Sequence, residues 1–236
     1  AAILASSACL KAGAGLIYLY SPGELKGRFD SSLIEVIKKT IPELHQLPDE
    51  QSLKEQLQKM DVILIGPGIG VSEYSRLLVK TAISLSGEMP VIMDADALNI
   101  LATNQDLLDQ CSAQNILLTP HIAEFSRLAH LDIQQVIDHQ LSCLLDFTSK
   151  YQLPVLLKSS TSLSAYNGMV KVIANGNDGL STGGSGDVLA GIIASFTAQN
   201  LCSQNHEGKP DLKDLLFSSA ANASFLMGKT ACDLNR

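Results

Sequence analysis

The run Asn177-Asp178-Gly179-Leu180-Ser181-Thr182-Gly183-Gly184-Ser185-Gly186-Asp187-Val188-Leu189-Ala190-Gly191 joins two unlike segments. Its first half is too rich in glycine and hydroxyl residues for regular structure, while Asp187 to Gln199 places Val188, Leu189, Ile192, Ile193 and Phe196 at helical spacing. A helix therefore begins at a glycine loop. The unpaired N–H groups of a helix start, with the positive end of its dipole, favour an anion, and Gly183, Gly184, Ser185 and Gly186 let one approach the main chain. Phosphate is the expected anion. Asp187 would repel it unless a metal or a proton intervenes, and that conflict points to chemistry. A carboxylate at the mouth of an anion hole can take the proton of a substrate hydroxyl as that oxygen attacks a phosphoryl group. The alternative is an Asp that caps the helix or complements its dipole.

Outward from this loop, strands and helices alternate. Asp61 to Ile65 is an apolar run fit for a strand buried on both faces, followed by Gly66-Pro67-Gly68-Ile69-Gly70 and a helix over Glu73 to Leu85. The glycine turn fails the dinucleotide fingerprint, because Val71 stands where the last glycine belongs, and it is no Walker A loop. A dehydrogenase is not supported. Pro90 to Met93 is the next strand, running into Asp94-Ala95-Asp96-Ala97-Leu98-Asn99. These side chains either organise magnesium or bind hydroxyls, with Asp96 equally able to cap the following helix. Asn115 to Leu118 is a strand before Thr119-Pro120-His121, where Thr119 is placed to cap a helix with Pro120 at its first position. Ile133 to Tyr151 reads as one amphipathic helix. Pro154 to Leu157 is a strand ending at Lys158-Ser159-Ser160-Thr161, where the lysine either contacts phosphate or adenine or is simply solvated. Ser162 to Tyr166 and Met169 to Ala174, joined by Asn167-Gly168, form a hairpin.

At the start of the chain, Ala1 to Lys11 is helical, Ala12-Gly13-Ala14-Gly15 stops that helix, and Leu16 to Tyr20 reads as a buried strand. A weakly patterned segment runs to Pro48, and Asp49 to Lys59 is a helix. At the other end, Leu201 to Asp211 reads as a polar loop and Leu212 to Met227 as a helix. The pattern implies a three-layer α/β/α domain with a mainly parallel central sheet and a late antiparallel hairpin. The turns after Ile65, Met93, Leu118 and Leu157 then share one rim with Asp187, which favours a nucleotide-dependent enzyme.

Composition bounds the partners. At 236 residues, 46% hydrophobic and 17% charged, the chain has the make-up of a single soluble domain. A net charge of -7 without a basic cluster argues against nucleic acid or a membrane surface. The 5 cysteines never form Cys-x-x-Cys and read as reduced thiols of a cytoplasmic protein. The histidines make no zinc motif, so no metal ligand set is assigned and any magnesium arrives with a nucleotide.

Taken in order, Ala12-Gly13-Ala14-Gly15-Leu16, Gly66 to Gly70, Asp94 to Asn99, Thr119-Pro120-His121, the Lys158 turn and Gly176 to Gly191 resemble the ADP/ATP-dependent NAD(P)H-hydrate dehydratases of the ribokinase-like superfamily, the carboxyl-terminal domain of YjeF-type proteins. The resemblance implies repair of the S epimer of hydrated NADH or NADPH at the expense of ADP or ATP with Mg2+. Asp187 would be the catalytic base. Hydrate contacts would fall on Ala1, Gly68, Gly70, Asp94, Asn99, His121 and Asp187. Nucleotide contacts would fall on Lys158, Ser159, Ser160, Thr161, Ser162 and Gly186. It further implies a homo-oligomer, commonly a tetramer, and a single domain over 1–236 that lacks the family's first strand and last helical segment. Ile122-Ala123 and Ser159-Ser160 depart from the family's usual Pro-Gly and Gly-Ala. The rival readings are a small-molecule kinase of the same superfamily, acting on a hydroxymethylpyrimidine, a thiazole alcohol or a sugar, and a non-catalytic nucleotide-binding relative.

Overall fold

Short apolar runs closed by polar turns build the centre of the molecule. The computed structural model describes residues 1–30, 32–42, 46–204 and 211–234. The chain enters through α1 (Ala2–Lys11), β1 (Tyr18–Pro22), α2 (Lys26–Asp30), β2 (Ile37–Ile41) and α3 (Glu50–Leu57). Strands and helices then alternate as β3 (Ile63–Ile65), α4 (Glu73–Leu85), β4 (Val91–Met93), α5 (Asp96–Ala102), α6 (Gln105–Gln110), β5 (Ile116–Leu118), α7 (Ile122–Ala129), α8 (Ile133–Asp138), α9 (Gln140–Tyr151) and β6 (Val155–Leu157). A hairpin of β7 (Ser162–Tyr166) and β8 (Met169–Ile173) precedes α10 (Ser185–Gln204) and α11 (Leu212–Leu234).

The six strands from β3 to β8 lie in chain order across one sheet, while β1 and β2 pair in parallel as a separate sheet. β3 to β6 are parallel, and the hairpin adds two antiparallel strands. Asn167 at φ 50 and Gly168 at φ 74 make the left-handed turn that Asn-Gly favours. Alternation along each strand divides the core in two. Val91, Met93, Ile116, Leu118, Val155 and Leu157 pack with residues of α4, α5, α7 and α9. Ile92, Leu117 and Leu156 point the other way, against Leu189, Ile193, Leu216 and Ala220 of α10 and α11. Burial on both faces explains why β4, β5 and β6 read as unbroken apolar runs. α1 lies on α10 with its backbone in close approach. A Cβ on Gly191 would overlap the carbonyl of Ala5, which is why small residues fill this crossing.

Several sequence expectations are corrected. β3 is an edge strand with one neighbour among the described residues, so Leu64 and Ile65 are only partly buried and the strand starts at Ile63 rather than Asp61. β1 starts at Tyr18, and Leu16 is 74% exposed instead of buried. The weakly patterned segment contains β2, a half-exposed strand whose Ile-Lys-Lys-Thr-Ile sequence gives little apolar signal. The helix expected over 133–151 breaks at His139, whose φ of -131 and ψ of 40 leave the helical region. α10 extends to Gln204, so the expected loop from Leu201 begins as helix; residues 205–210 of that loop lie outside the described residues. α11 continues beyond Met227 to Leu234. Among the described residues no helix is long and apolar enough to cross a membrane.

Candidate active site

The carboxyl ends of β3, β4, β5 and β6 open onto one rim, and the glycine loop delivers the first turn of α10 to the same place. Gly184 sits at φ +94 against the side chain of Leu4, so the loop is shaped by a backbone conformation that side chains resist. Thr182 holds the entry to the helix, its carbonyl accepting from the Ser185 hydroxyl at 2.9 Å. The helix starts at Ser185, two residues before the position read from the sequence, and Asp187 therefore lies inside the first turn. No backbone N–H donates to its carboxylate among the described residues, so Asp187 is not spent as a cap. Its Oδ2 lies 3.6 Å from the nitrogen of Ala1, and its side chain is 18% exposed.

Lys158 follows β6 and crosses towards this turn. Its Nζ lies 3.6 Å from where a Cβ on Gly186 would stand, and it donates to Asp94 Oδ1 at 2.6 Å. The Thr119 hydroxyl donates to the same oxygen at 2.9 Å. Asp94 is almost fully buried, and its Oδ1 accepts from both Lys158 and Thr119. The lysine is thus neither solvated nor adrift; a buried carboxylate aims its ammonium at the anion loop.

The second aspartate of this turn has a different task. Asp96 Oδ2 accepts from the N–H of Gly70 at 2.9 Å, tying the glycine loop after β3 to the start of α5. It does not cap α5, whose cap position is Ala95 with no side-chain bond. Between the two aspartates Ala95 adopts φ 50 and ψ -117, an unusual backbone for a residue with a Cβ. The two carboxylates thus have different partners, Asp94 with Lys158 and Thr119 and Asp96 with Gly70, and no cluster of three acidic, histidine or cysteine side chains able to hold a metal is present among the described residues. Gly66 must be glycine, because a Cβ there would overlap the Asp94 carbonyl oxygen. Gly68 packs against Ala1, with 3.1 Å between the Ala1 Cβ and a Cβ built on the glycine.

Thr119 does not cap α7, because its buried hydroxyl is taken by Asp94. His121 does so instead: its Nδ1 accepts from the N–H groups of Ala123 at 3.1 Å and Glu124 at 3.3 Å, and Glu124 Oε2 accepts in return from the His121 N–H at 2.9 Å. An accepting Nδ1 places the proton of the neutral ring on Nε2. Glu124 thus closes a capping box with His121. Its spacing three after a polar cap residue was the available signal.

A family model for NAD(P)H-hydrate dehydratase matches residues 1–236. The chain belongs to the NAD(P)H-hydrate dehydratase family. It is similar to the bifunctional NAD(P)H-hydrate repair enzyme of Moorella thermoacetica, with 34% identity over 203 residues that cover 84% of this chain and 38% of that protein. The chain thus spans less than two fifths of that relative's length. It also resembles the ADP-dependent (S)-NAD(P)H-hydrate dehydratase of Enterococcus faecalis, 29% identical over 206 residues that cover 84% of this chain and 65% of the other. A solved ribokinase-like superfamily protein of Enterococcus faecalis matches with a TM-score of 0.79 and 27% identity over 99% of this chain and 74% of its own. The mainly parallel three-layer sheet is accordingly a ribokinase-like fold.

Of the positions expected from the NAD(P)H-hydrate dehydratase resemblance, Ala1, Gly68, Lys158, Gly186 and Asp187 come together, with Gly70 and His121 on the same rim. The backbone of His121 pairs with that of Lys158. Asp94 points inward and meets Lys158. Asn99 lies one turn into α5, its Oδ1 accepting from Arg127 Nη2 at 2.9 Å. Ser159 to Ser162 form a turn closed on itself, with Ser159 Oγ donating to the Thr161 carbonyl at 2.6 Å, while Ser160 and Thr161 are exposed. Sequence reading missed Thr119 as a partner of Asp94 and Arg127 as a partner of Asn99.

Proposed function

We propose that this chain dehydrates the S epimer of hydrated NADH or NADPH and consumes ADP or ATP in doing so. The observation that carries this reading is a carboxylate, Asp187, left uncapped at a helix start towards which buried Asp94 holds the ammonium of Lys158. In the proposed reaction Asp187 takes the proton of the ring hydroxyl, and that oxygen attacks the terminal phosphoryl group. The bond to the leaving phosphate of the nucleotide breaks, giving AMP from ADP or ADP from ATP. The carbon–oxygen bond of the phosphorylated hydrate then breaks, inorganic phosphate leaves, a proton is lost from the ring, and the double bond of the reduced nicotinamide returns. Gly183 to Gly186 and Lys158 stabilise the charge that develops on the transferring group. Magnesium, where the nucleotide brings it, neutralises phosphate charge. The committed Asp94 and Asp96 fit no protein cage, so its ligands are assigned to nucleotide and water.

Single-domain organisation over 1–236, a homotetrameric assembly and a cytoplasmic location complete the proposal, on the family resemblance. The deciding assay mixes the protein, magnesium and the S hydrate of NADH or NADPH with ADP or ATP and follows the return of reduced-nicotinamide absorbance. Recovery that needs nucleotide and is lost in Asp187→Asn is expected. Folded protein that restores no absorbance with either nucleotide, but accumulates a stable phosphorylated alcohol from a substrate screen, would establish a kinase instead.

A further inference from the structure

A groove of about 580 Å³ runs between α5 and α7, lined by Val71, Asn99, Thr103, Ser126, Arg127 and His130 among others. Its near end abuts the rim. Val71 follows Gly70 directly, and Asn99 sits three residues after Asp96, whose carboxylate holds the Gly70 N–H. Arg127 is six residues beyond His121 on α7, so its Cα lies about 9 Å along the helix axis from the cap at the rim.

The donors in this groove are unevenly committed. The Thr103 and Ser126 hydroxyls donate to backbone carbonyls and have no proton left to offer. Arg127 is exposed and gives one N–H to Asn99 Oδ1; no carboxylate pairs with it among the described residues. Because a guanidinium can only donate, that bond fixes the Asn99 amide with its oxygen towards Arg127 and its two N–H groups turned elsewhere. None of the groove's lining residues is acidic. In a chain of net charge -7, an unpaired guanidinium beside an oriented amide, in a groove opening from the reactive rim, is the arrangement that receives an anion.

We propose that Arg127 and Asn99 form an anion subsite that holds a phosphate of the dinucleotide substrate while its damaged ring lies at Asp187. This deepens the dehydratase reading and rests on it. The substrate offers two sources of the same chemistry, the pyrophosphate bridge and, in the NADPH form, the 2′-phosphate. The phosphates of the second substrate, ADP, are assigned to the glycine loop and Lys158 and should not feel Arg127.

The test is steady-state kinetics of Arg127→Ala and Arg127→Lys against the wild-type chain, with both hydrates and with ADP varied separately. Loss of one charge-assisted contact at an exposed site should raise the hydrate KM about tenfold in Arg127→Ala, less in Arg127→Lys, with kcat and the KM for ADP within about twofold. An equal rise for both hydrates assigns the pyrophosphate, and a rise confined to NADPH hydrate assigns the 2′-phosphate. An unchanged hydrate KM, or a rise in the KM for ADP instead, overturns the subsite. Calorimetric titration with ADP-ribose and its 2′-phosphate, at saturating ADP, gives a readout independent of turnover. Arg127-dependent binding by a chain without dehydratase activity would refute the reaction and keep the subsite. Neither binding nor KM depending on Arg127 would refute the subsite, whatever the activity. Arg127 makes one surface hydrogen bond, so an unchanged melting transition in the variants is expected and excludes misfolding as the cause.

Discussion

Replacing Asp94 by alanine should unsettle the molecule far more than removing an ordinary surface carboxylate. At 2.6 Å and an effective dielectric of about 20, the attraction between Asp94 and Lys158 is about 6 kcal/mol before desolvation. Burial offsets most of this, since the two side chains are only 3% and 19% exposed. The pair as a whole therefore adds little to stability, but each ion depends on the other. Removing one partner of a fully buried pair costs about 3–5 kcal/mol, and the partial exposure of Lys158 brings the expected loss for Asp94→Ala to about 2–3 kcal/mol. Lys158→Met should cost a similar amount, and the double variant much less than the sum, leaving a coupling of about 2 kcal/mol. Urea unfolding of the four proteins at constant m measures it. The exposed Lys80–Glu50 pair is the control, because its contact of 3.1 Å is also within bonding range while its side chains are 53% and 41% exposed. Its coupling should stay near or below about 0.5 kcal/mol. A coupling for Asp94 and Lys158 no larger than the control's would refute the claim that burial makes this pair interdependent. The same variants should lower kcat in the hydrate assay, since each leaves Gly186 without an aimed ammonium.

Ala95→Gly should stabilise the fold by about 1 kcal/mol, because glycine accepts a φ of 50 without the Cβ conflict, and thermal unfolding reads the change. Its kcat should stay unchanged, because glycine keeps the same backbone turn and leaves the flanking residues in place. Thiol labelling of native protein at pH 8 should modify exposed Cys202 well before Cys9 and Cys111, whose thiols burial pushes up to about 11 and about 12. Mass spectrometry of the labelled peptides checks the order. The same two thiols keep their protons longer in the folded than in the unfolded chain. Their contribution to stability is therefore present below about pH 9 and is lost as pH rises towards 12.

The sequence showed the sheet clearly where burial was complete. Val91 to Met93, Ile116 to Leu118 and Val155 to Leu157 are apolar at every position because helices cover both faces, and no reading frame can hide that. It showed least where burial was partial. β2 sets Lys38, Lys39 and Thr40 between two isoleucines in a two-stranded sheet, and β3 has an open side, so neither carries the full signal. The break at His139 was hidden by Ile133, Ile137 and Leu141, whose spacing of four reads as one helix face although all three are exposed. Caps were ambiguous for another reason. Thr119 and His121 can each cap α7, and the choice is made by Asp94, 25 residues away in sequence, which claims the threonine hydroxyl.

The site was legible as a set of turns but not as a set of bonds, and the three aspartates of the rim show why. Asp94, Asp96 and Asp187 each follow a pattern that reads as cap, metal ligand or base, because a carboxylate at the start of a helix suits all three roles. What separates them is the partner that folding supplies. Asp94 meets an ammonium 64 residues later in the chain, and Asp96 meets a glycine N–H 26 residues earlier. Both are consumed in holding other groups still. Asp187 accepts no hydrogen bond from a backbone N–H or a lysine among the described residues; its Oδ2 has the Ala1 nitrogen at 3.6 Å, and its side chain remains 18% exposed. The proposal that Asp187 takes the proton rests on this difference, since each of the other two carboxylates holds a neighbour in place.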